Sequence, residues 1–402
     1  YTRNNTDYDT RKGMNLTLDY KYDIDKSGSN FLASVAYSQH VRTSNERYKQ
    51  TDNLTEKISS DISQALEGSN REWLFKADYT QKFTETNRLE AGWQTNISNR
   101  FSPGSGFDNL KNQEIKPYYN VFDYNESNHA AYVTYGDRFF DKLSFQAGLR
   151  AEYFTRASNY EYKDMNDNWA LKSIAIEPKS NFQLFPSAYL SYSLPNNNEL
   201  QLNYSRRVNR PRGRQINPFR DYSDSTNISY GNPDLNSEFS SSTELNYIKN
   251  WDNHTLSASA YYRFTDNVIQ EVSFINQGTM ESTFMNIAKS TFTGAEFVVK
   301  NRLFRVLNLT TSLNFYYNKL DSSVYFNPYN TSLSTTIPEQ SNFSWTGRII
   351  ANMLLGKTTS MQITGDYSGP RILPQGTQKA SYSIDLGLRQ TFFDRNLSLN
   401  FT

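Results

Sequence analysis

Cysteine is absent from the 402 residues, so neither a disulfide framework nor a thiolate metal site is available. Charge of one sign is absent as well. Lys and Arg number 42 against 41 Asp and Glu, for a formal net charge of +1, and no pull towards nucleic acid follows. Long hydrophobic runs are missing. The densest, Ile349 to Leu355, is broken by Asn352, far from the roughly 18 consecutive apolar residues of a membrane helix. Helical spanning is thereby excluded. Spanning by strands is not, because a barrel alternates apolar and polar residues and keeps its average hydropathy low. Histidine is scarce. His40, His129 and His254 lie on separate segments with no i, i+4 pair, so no metal site and no cofactor are expected. Asp164, Asn166 and Asn168 open like a calcium loop, but Trp169 stands where Gly is required and the twelfth position lacks Glu. Neither a Gly-x-Ser-x-Gly elbow nor a phosphate loop occurs.

Aromatic residues are what the chain has in excess. They reach 15%, with 29 Tyr and 26 Phe, in a chain whose mean hydropathy is only −0.75. Many rings in a polar chain suit a barrel with an aromatic outer belt, a wet lumen and polar loops. Alternation supports this. Leu143, Phe145, Ala147, Leu149, Ala151 and Tyr153 share one parity, while Ser144, Gln146, Arg150 and Glu152 take the other. The same reading applies to Trp73–Tyr79, Leu256–Phe264, Leu307–Tyr317 and Tyr382–Leu388, since successive side chains of a strand face opposite sides. About 16 such strands are expected, many as long as the roughly 9–11 residues that cross a bilayer when tilted. They lie near 14–23, 31–43, 71–83, 87–100, 121–138, 142–156, 182–194 and 199–209, then near 239–250, 254–270, 283–302, 306–319, 342–355, 358–368, 381–392 and 395–402.

Connections alternate in length. Tight turns are expected at 139–141, 195–198, 251–253, 356–357 and 393–394, and long polar loops near 44–70, 101–120, 157–181, 210–238, 320–341 and 369–380. Outer-membrane barrels sort their loops in this way, short to the periplasm and long to the outside. Leu54, Ile58, Ile62 and Leu66 recur every fourth residue, which predicts a short helix over 53–67, covering its own apolar stripe or serving as a ligand lid. No repeat or linker divides residues 1–402, and a single domain is expected. The last run, Leu397 to Thr402, reads as a strand cut in mid-stride, so a fragment is expected.

The densest motifs lie in 182–250. Phe185-Pro186-Ser187 opens one strand. Tyr204-Ser205-Arg206-Arg207 ends the next, followed by Asn209-Arg210-Pro211. Ile216-Asn217-Pro218-Phe219 and Gly231-Asn232-Pro233-Asp234-Leu235 follow, then Glu238. This resembles the barrel of TonB-dependent receptors, closest to the outer-membrane β-barrel family among them. Gly148-Leu149-Arg150-Ala151-Glu152 resembles a further strand of that family. Asn236-Ser237 departs from the Lys-Pro often found before the Glu. The resemblance implies an all-β, transmembrane, antiparallel up-and-down barrel of 22 strands in the cell outer membrane of a Gram-negative bacterium. It also implies a plug and a box that contacts the energy-coupling TonB complex, neither of which is visible here. Uptake of a siderophore, vitamin, glycan or peptide is the expected function. Outer-membrane lipids are expected partners, and a surface lipoprotein lid is a further candidate.

The resemblance carries no ligand residues over, so candidates come from placement. Arg207, Arg210, Arg212, Arg214, Tyr222 and Asn227 crowd the outer end of one strand and its loop, and Arg150, Glu152 and Arg263 fall on the lumen parity. The arginine cluster, with Arg206 and Arg220, can hold an anionic ligand or lipopolysaccharide phosphates. It can equally pair with Asp221, Asp224, Glu238 and lumen carboxylates. Two other functions fit the same strands. One is a passive porin-like or adhesin-like barrel. The other is a barrel enzyme, for which His129 and His254 are the available bases, although no Ser stands out beside them.

Overall fold

A computed structural model describes residues 1–164, 167–221, 227–328, 330–373, 375–393 and 396–402. Sixteen wall strands follow one another. They are β1 (Thr2–Asp23), β2 (Asn30–Thr51), β3 (Ile58–Lys82), β4 (Arg88–Asp108), β5 (Asn120–Phe139), β6 (Leu143–Asp164), β7 (Ala170–Leu194) and β8 (Asn198–Asn209). After a long loop come β9 (Glu238–Asn250), β10 (His254–Asn276), β11 (Thr279–Leu303), β12 (Leu307–Leu320), β13 (Gln340–Leu354), β14 (Thr359–Ser368), β15 (Ser381–Phe392) and β16 (Leu397–Phe401). Each is antiparallel to the next, so neighbours in sequence are neighbours in space. Among the described residues, β1 pairs only with β2 and β16 only with β15.

Register decides which face each side chain takes. Phe145 lies opposite Leu190, Leu245 opposite Ala260, Phe297 opposite Leu313, and Ile363 opposite Leu386. These form one continuous apolar face. It packs against no other layer: Leu18 is 74% exposed, Ile384 76% and Leu386 58%. Rings pair across strands on it, as in Tyr37–Trp73 at 4.7 Å and Trp345–Tyr367 at 4.2 Å between centroids, which stabilises the register by roughly 0.5–1.5 kcal/mol per pair. The adjacent tyrosines divide as alternation requires. Tyr262 and Tyr317 are exposed on the apolar face, while Tyr261 bonds Asn314 on the polar one.

Buried apolar residues gather at the long-loop end instead. One cluster joins Val272, Phe274, Ile287, Leu320, Tyr325 and Ile337. It packs the outer parts of β10–β12 against a hairpin of strands Ser323–Asn327 and Asn330–Ile337. The other joins Phe122, Tyr124, Ile216, Leu235 and Ile269, bringing the 210–238 loop onto β5 and β10.

The structure corrects two expectations. Residues 53–67 hold no helix. The chain turns at Asp52–Lys57, where Asp52 accepts from the Leu54 and Thr55 amides, and β3 starts at Ile58. A spacing of four is one helical turn but also two strand repeats, so Leu54, Ile58, Ile62 and Leu66 fit either period. The loops expected at 44–70, 101–120 and 157–181 are also mostly strand. Beyond the bilayer both faces of a strand are wet, and alternation disappears while the ladder continues. At the opposite end the turns are tight as expected, with positive φ at Phe140-Asp141, Asn196-Asn197 and Phe304-Arg305.

Candidate functional site

The 210–238 loop folds inward, and its two motifs meet. Gly213–Ile216 makes one helical turn. The Gly231 amide then donates to the Asn217 carbonyl at 2.8 Å, and the Asn232 amide to the Gln215 carbonyl at 2.7 Å. A Cβ on Gly231 would lie 2.5 Å from the Asn217 carbonyl oxygen and 2.7 Å from its nitrogen. Glycine is therefore required there for close approach of two backbones. Asn232 accepts from the Asp234 amide at 2.9 Å and donates to the Phe284 carbonyl at 3.0 Å, which ties the turn to β11.

The wall holds this loop by charged and amide side chains. Arg156 sits at a β-bulge in β6, a device that re-aims a side chain. It is 7% exposed and donates to the Pro233 and Leu235 carbonyls at 2.8 and 2.5 Å. Asn286 accepts from the Asn236 amide at 2.7 Å and donates to the Asn236 and Asn267 carbonyls. Glu238, last residue of the motif, accepts from Asn209 at 2.6 Å and from the Ile269 amide. Burial of Ile216 and Leu235 adds about 1.5–3 kcal/mol each.

A second knot lies at the tip. Glu281 accepts from Tyr230 at 2.8 Å, Asn276 at 2.9 Å and Arg220 at 3.3 Å, and the Arg220 guanidinium lies 4.6 Å from the Tyr230 ring centroid. Asn327 donates to the Tyr230 hydroxyl at 2.5 Å, joining the 323–337 hairpin to the loop. Burial, then the bond to Glu281, pushes the Tyr230 hydroxyl up to about 12. Burial alone would raise the Glu281 carboxyl, but hydrogen bonds from Asn276 and Tyr230 and the Arg220 charge outweigh it and hold it low.

Between this loop and the polar face of β1–β4 lies a cavity of about 730 Å³. Arg11, His40, Arg42, Asn70 and Arg100 line the wall side, and Arg214, Phe219 and Tyr230 the loop side. Five Lys and Arg residues meet three carboxylates around it, so the cavity is net cationic. Arg11 and Arg42 already share Asp9, at 2.8 and 3.0 Å.

Residues 22–402 match the outer membrane protein beta-barrel family. The chain belongs to that family. Its members are outer-membrane barrels, so the apolar face meets lipid and the polar face the lumen. No curated protein matches the sequence. Solved structures resemble the fold at low identity. The ferric-catecholate import receptor Fiu of E. coli, closed form, aligns with TM-score 0.69 and 11% identity over 98% of this chain and 59% of that one. The copper transporter OprC aligns with TM-score 0.60 and 12% identity over 92% and 58%. The ferric yersiniabactin uptake receptor FyuA of Yersinia pestis aligns with TM-score 0.56 and 12% identity over 91% and 54%. The chain thus spans somewhat over half the length of these receptors.

This family barrel brings some of the expected residues together and separates others. Arg150, Glu152 and Arg210 converge: Glu152, 6% exposed, accepts from Arg150 at 2.5 Å and from Arg210. Arg210 also reaches Asn128 at 3.2 Å and covers the Phe154 ring. Arg207 and Arg263 line a separate polar groove of about 570 Å³ with Glu244 and Asn203. Arg214 borders the larger cavity. Arg212 is exposed where the helical turn begins, its amide donating to Gln215. Asn227 opens a short strand, Asn227–Ser229, that pairs with β11 in parallel. Tyr222 and Asp224 lie outside the described residues. His129 bonds Thr95 in the middle of the sheet and His254 bonds Asn301 at the short-turn end; they share neither strand nor ladder. Sequence reasoning missed Arg11, Arg42, Arg100 and Arg156. The first three were readable as cations on lumen parity near outer strand ends. Nothing in the sequence marked Arg156.

Proposed function

We propose that residues 1–402 form the wall and inward cap of a TonB-dependent transporter that takes up a nutrient ligand across the outer membrane. The observation that carries this reading is the net-cationic cavity, roofed by a loop that the wall pins in place. A preformed concave site with few convergent polar groups is what a selective binder needs, and a passive channel has no use for a pinned roof. The solved barrels of similar fold include receptors for ferric siderophores and a copper transporter, which supports import as the class. In this reading the ligand meets Arg207, Arg210, Arg212, Arg214, Tyr222 and Asn227 at the loop. Arg150, Glu152 and Arg263 shape the lumen wall. An anionic or anion-bearing nutrient, such as a siderophore or an acidic glycan or peptide, suits that charge. The energy-coupling TonB complex powers release, outer-membrane lipids surround the barrel, and a surface lipoprotein lid covers the loops. No catalytic role falls to His129 or His254.

The test is uptake by cells carrying the full-length gene, with and without a functional coupling complex, on single limiting nutrients. Saturable uptake that vanishes without coupling supports the proposal. Uptake that is linear in concentration and indifferent to coupling would establish a passive channel instead.

A further inference from the structure

Two turns at the short-loop end carry a pattern that transport does not use. Between β5 and β6, Phe139-Phe140-Asp141-Lys142 is closed by the Lys142 amide donating to the Phe139 carbonyl at 3.1 Å. Between β11 and β12, Leu303-Phe304-Arg305-Val306 is closed by the Val306 amide donating to the Leu303 carbonyl at 3.2 Å. Phe140 has φ 51° and Phe304 has φ 51°, in the left-handed region that crowds any Cβ and suits Gly or Asn. The turn between β7 and β8 meets the same demand with Asn196 and Asn197, at φ 61° and 57°. Backbone geometry therefore does not ask for phenylalanine. Packing does not ask for it either: Phe140 is 93% exposed and Phe304 87%. Exposed rings held at a conformational cost point to a partner outside the chain.

Two observations identify that partner. The first is continuity. Phe139 stacks on Phe145 at 5.3 Å, and Leu303 lies opposite Leu307 on the parity of Phe297 and Leu313. The turn rings thus prolong the lipid-facing stripe beyond the last rung of the ladder. The second is charge. Lys142 follows Phe140 by two positions and Arg305 follows Phe304 directly. A ring at headgroup depth beside a cation is the pairing that a phospholipid interface favours.

We propose that Phe140 and Phe304 are membrane anchors. They insert into the headgroup layer of the phospholipid leaflet at the short-turn end, and Lys142 and Arg305 meet its phosphates. Phe393, at φ 51° and 77% exposed, is a third member in the turn after β15. The inference rests on the outer-membrane location and not on the transport reading.

Residues 1–402 contain no Cys, so single cysteines can be introduced in the full-length protein and spin-labelled. Phe140→Cys, Phe304→Cys and Asn197→Cys are reconstituted into phosphatidylethanolamine–phosphatidylglycerol vesicles. Collision with an aqueous nickel chelate is compared with collision with oxygen. The labels at 140 and 304 are expected to meet nickel several-fold less, and oxygen more, than the label at 197. Equal accessibility at the three sites overturns the proposal. The double variant Phe140→Asn/Phe304→Asn supplies an independent reading. It relieves both turns, so in detergent its unfolding temperature should match or exceed that of the parent, whereas in the same vesicles it should fall below. A variant as stable as the parent in vesicles also overturns it. Protection seen in protein-free lipid distinguishes a lipid partner from a periplasmic protein.

Discussion

Arg156 and Arg214 both meet the 210–238 loop, one from the wall and one from within it, and they differ in what already occupies them. Arg156 is buried and spends its donors on two loop carbonyls. Arg214 is exposed at the cavity and has no ion pair within 4.0 Å among the described residues. A guanidinium whose donors are saturated by its own chain is architecture, and one left open to the lumen can answer to a ligand. Arg150 and Arg210 fall with Arg156, because both are held by Glu152. Arg207 falls with Arg214, in its own polar groove.

The contrast breaks most visibly at Arg156. Arg156→Met keeps the stem but strands two buried carbonyls, at roughly 1–3 kcal/mol each. The expected outcome is loss of loop docking by roughly 2–6 kcal/mol, read as faster amide exchange over 210–238 while β5–β7 keep their protection. Unchanged exchange in the loop would show that Arg156 does not hold it. Gly231→Ala comes next. Its Cβ meets three backbone atoms within 2.8 Å, and backbone cannot swing away as a side chain can. About 1–3 kcal/mol of loop docking should be lost, with proteolytic nicking near Gly231 as the readout.

The tip knot sharpens the comparison through pH. Glu281→Gln keeps the shape but removes the charge facing Arg220, at roughly 1–3 kcal/mol. In the parent, the Glu281 carboxyl is held below its ordinary value. A depressed carboxyl contributes stability that is complete above the unfolded pKa of about 4.3 and is lost as pH falls through the folded value. Exchange protection of the 276–284 segment should therefore decay on acidification below about pH 4.3 in the parent. In Glu281→Gln it should start lower and stay flat. A parallel decay in both proteins would assign the pH response to another carboxylate.

How much of this was legible follows from what a sequence encodes locally. Phe145, Leu256 and Leu386 announced the wall because a strand with one face in lipid and one in water alternates. Thr43 to Thr51 announced nothing, because both faces of that stretch are wet and only the ladder, a non-local fact, makes it strand. Leu54 to Leu66 misled because a period of four belongs to two structures. At the site, the Arg206–Arg220 cluster and the Gly-Asn-Pro motif stood out by composition. The closure of Gly231 on Asn217 and the grip of Glu152, 58 residues away, on Arg210 did not, since neither partner carries a local signature. Arg156 looked like any polar-parity residue until the bulge turned it towards Leu235.

The smallest stability effect is expected where the functional effect is expected to be large. Arg214→Ala removes an exposed side chain with no ion pair, so unfolding and loop exchange should move by no more than about 0.5 kcal/mol. If the cavity binds an anionic nutrient through that guanidinium, one charge-assisted bond is lost, worth about 1.5–3 kcal/mol, or at least tenfold in affinity. Arg156→Met should weaken binding too, but only together with loop exchange, whereas Arg214→Ala should weaken it alone. Saturable uptake measured at several salt concentrations separates them further, because an open guanidinium acts through screened charge and a buried one through shape. If Arg214→Ala leaves the half-saturation concentration unchanged while Arg207→Ala raises it, the ligand sits in the groove beside Glu244 rather than under the loop, and the division between committed and open arginines survives with its site moved.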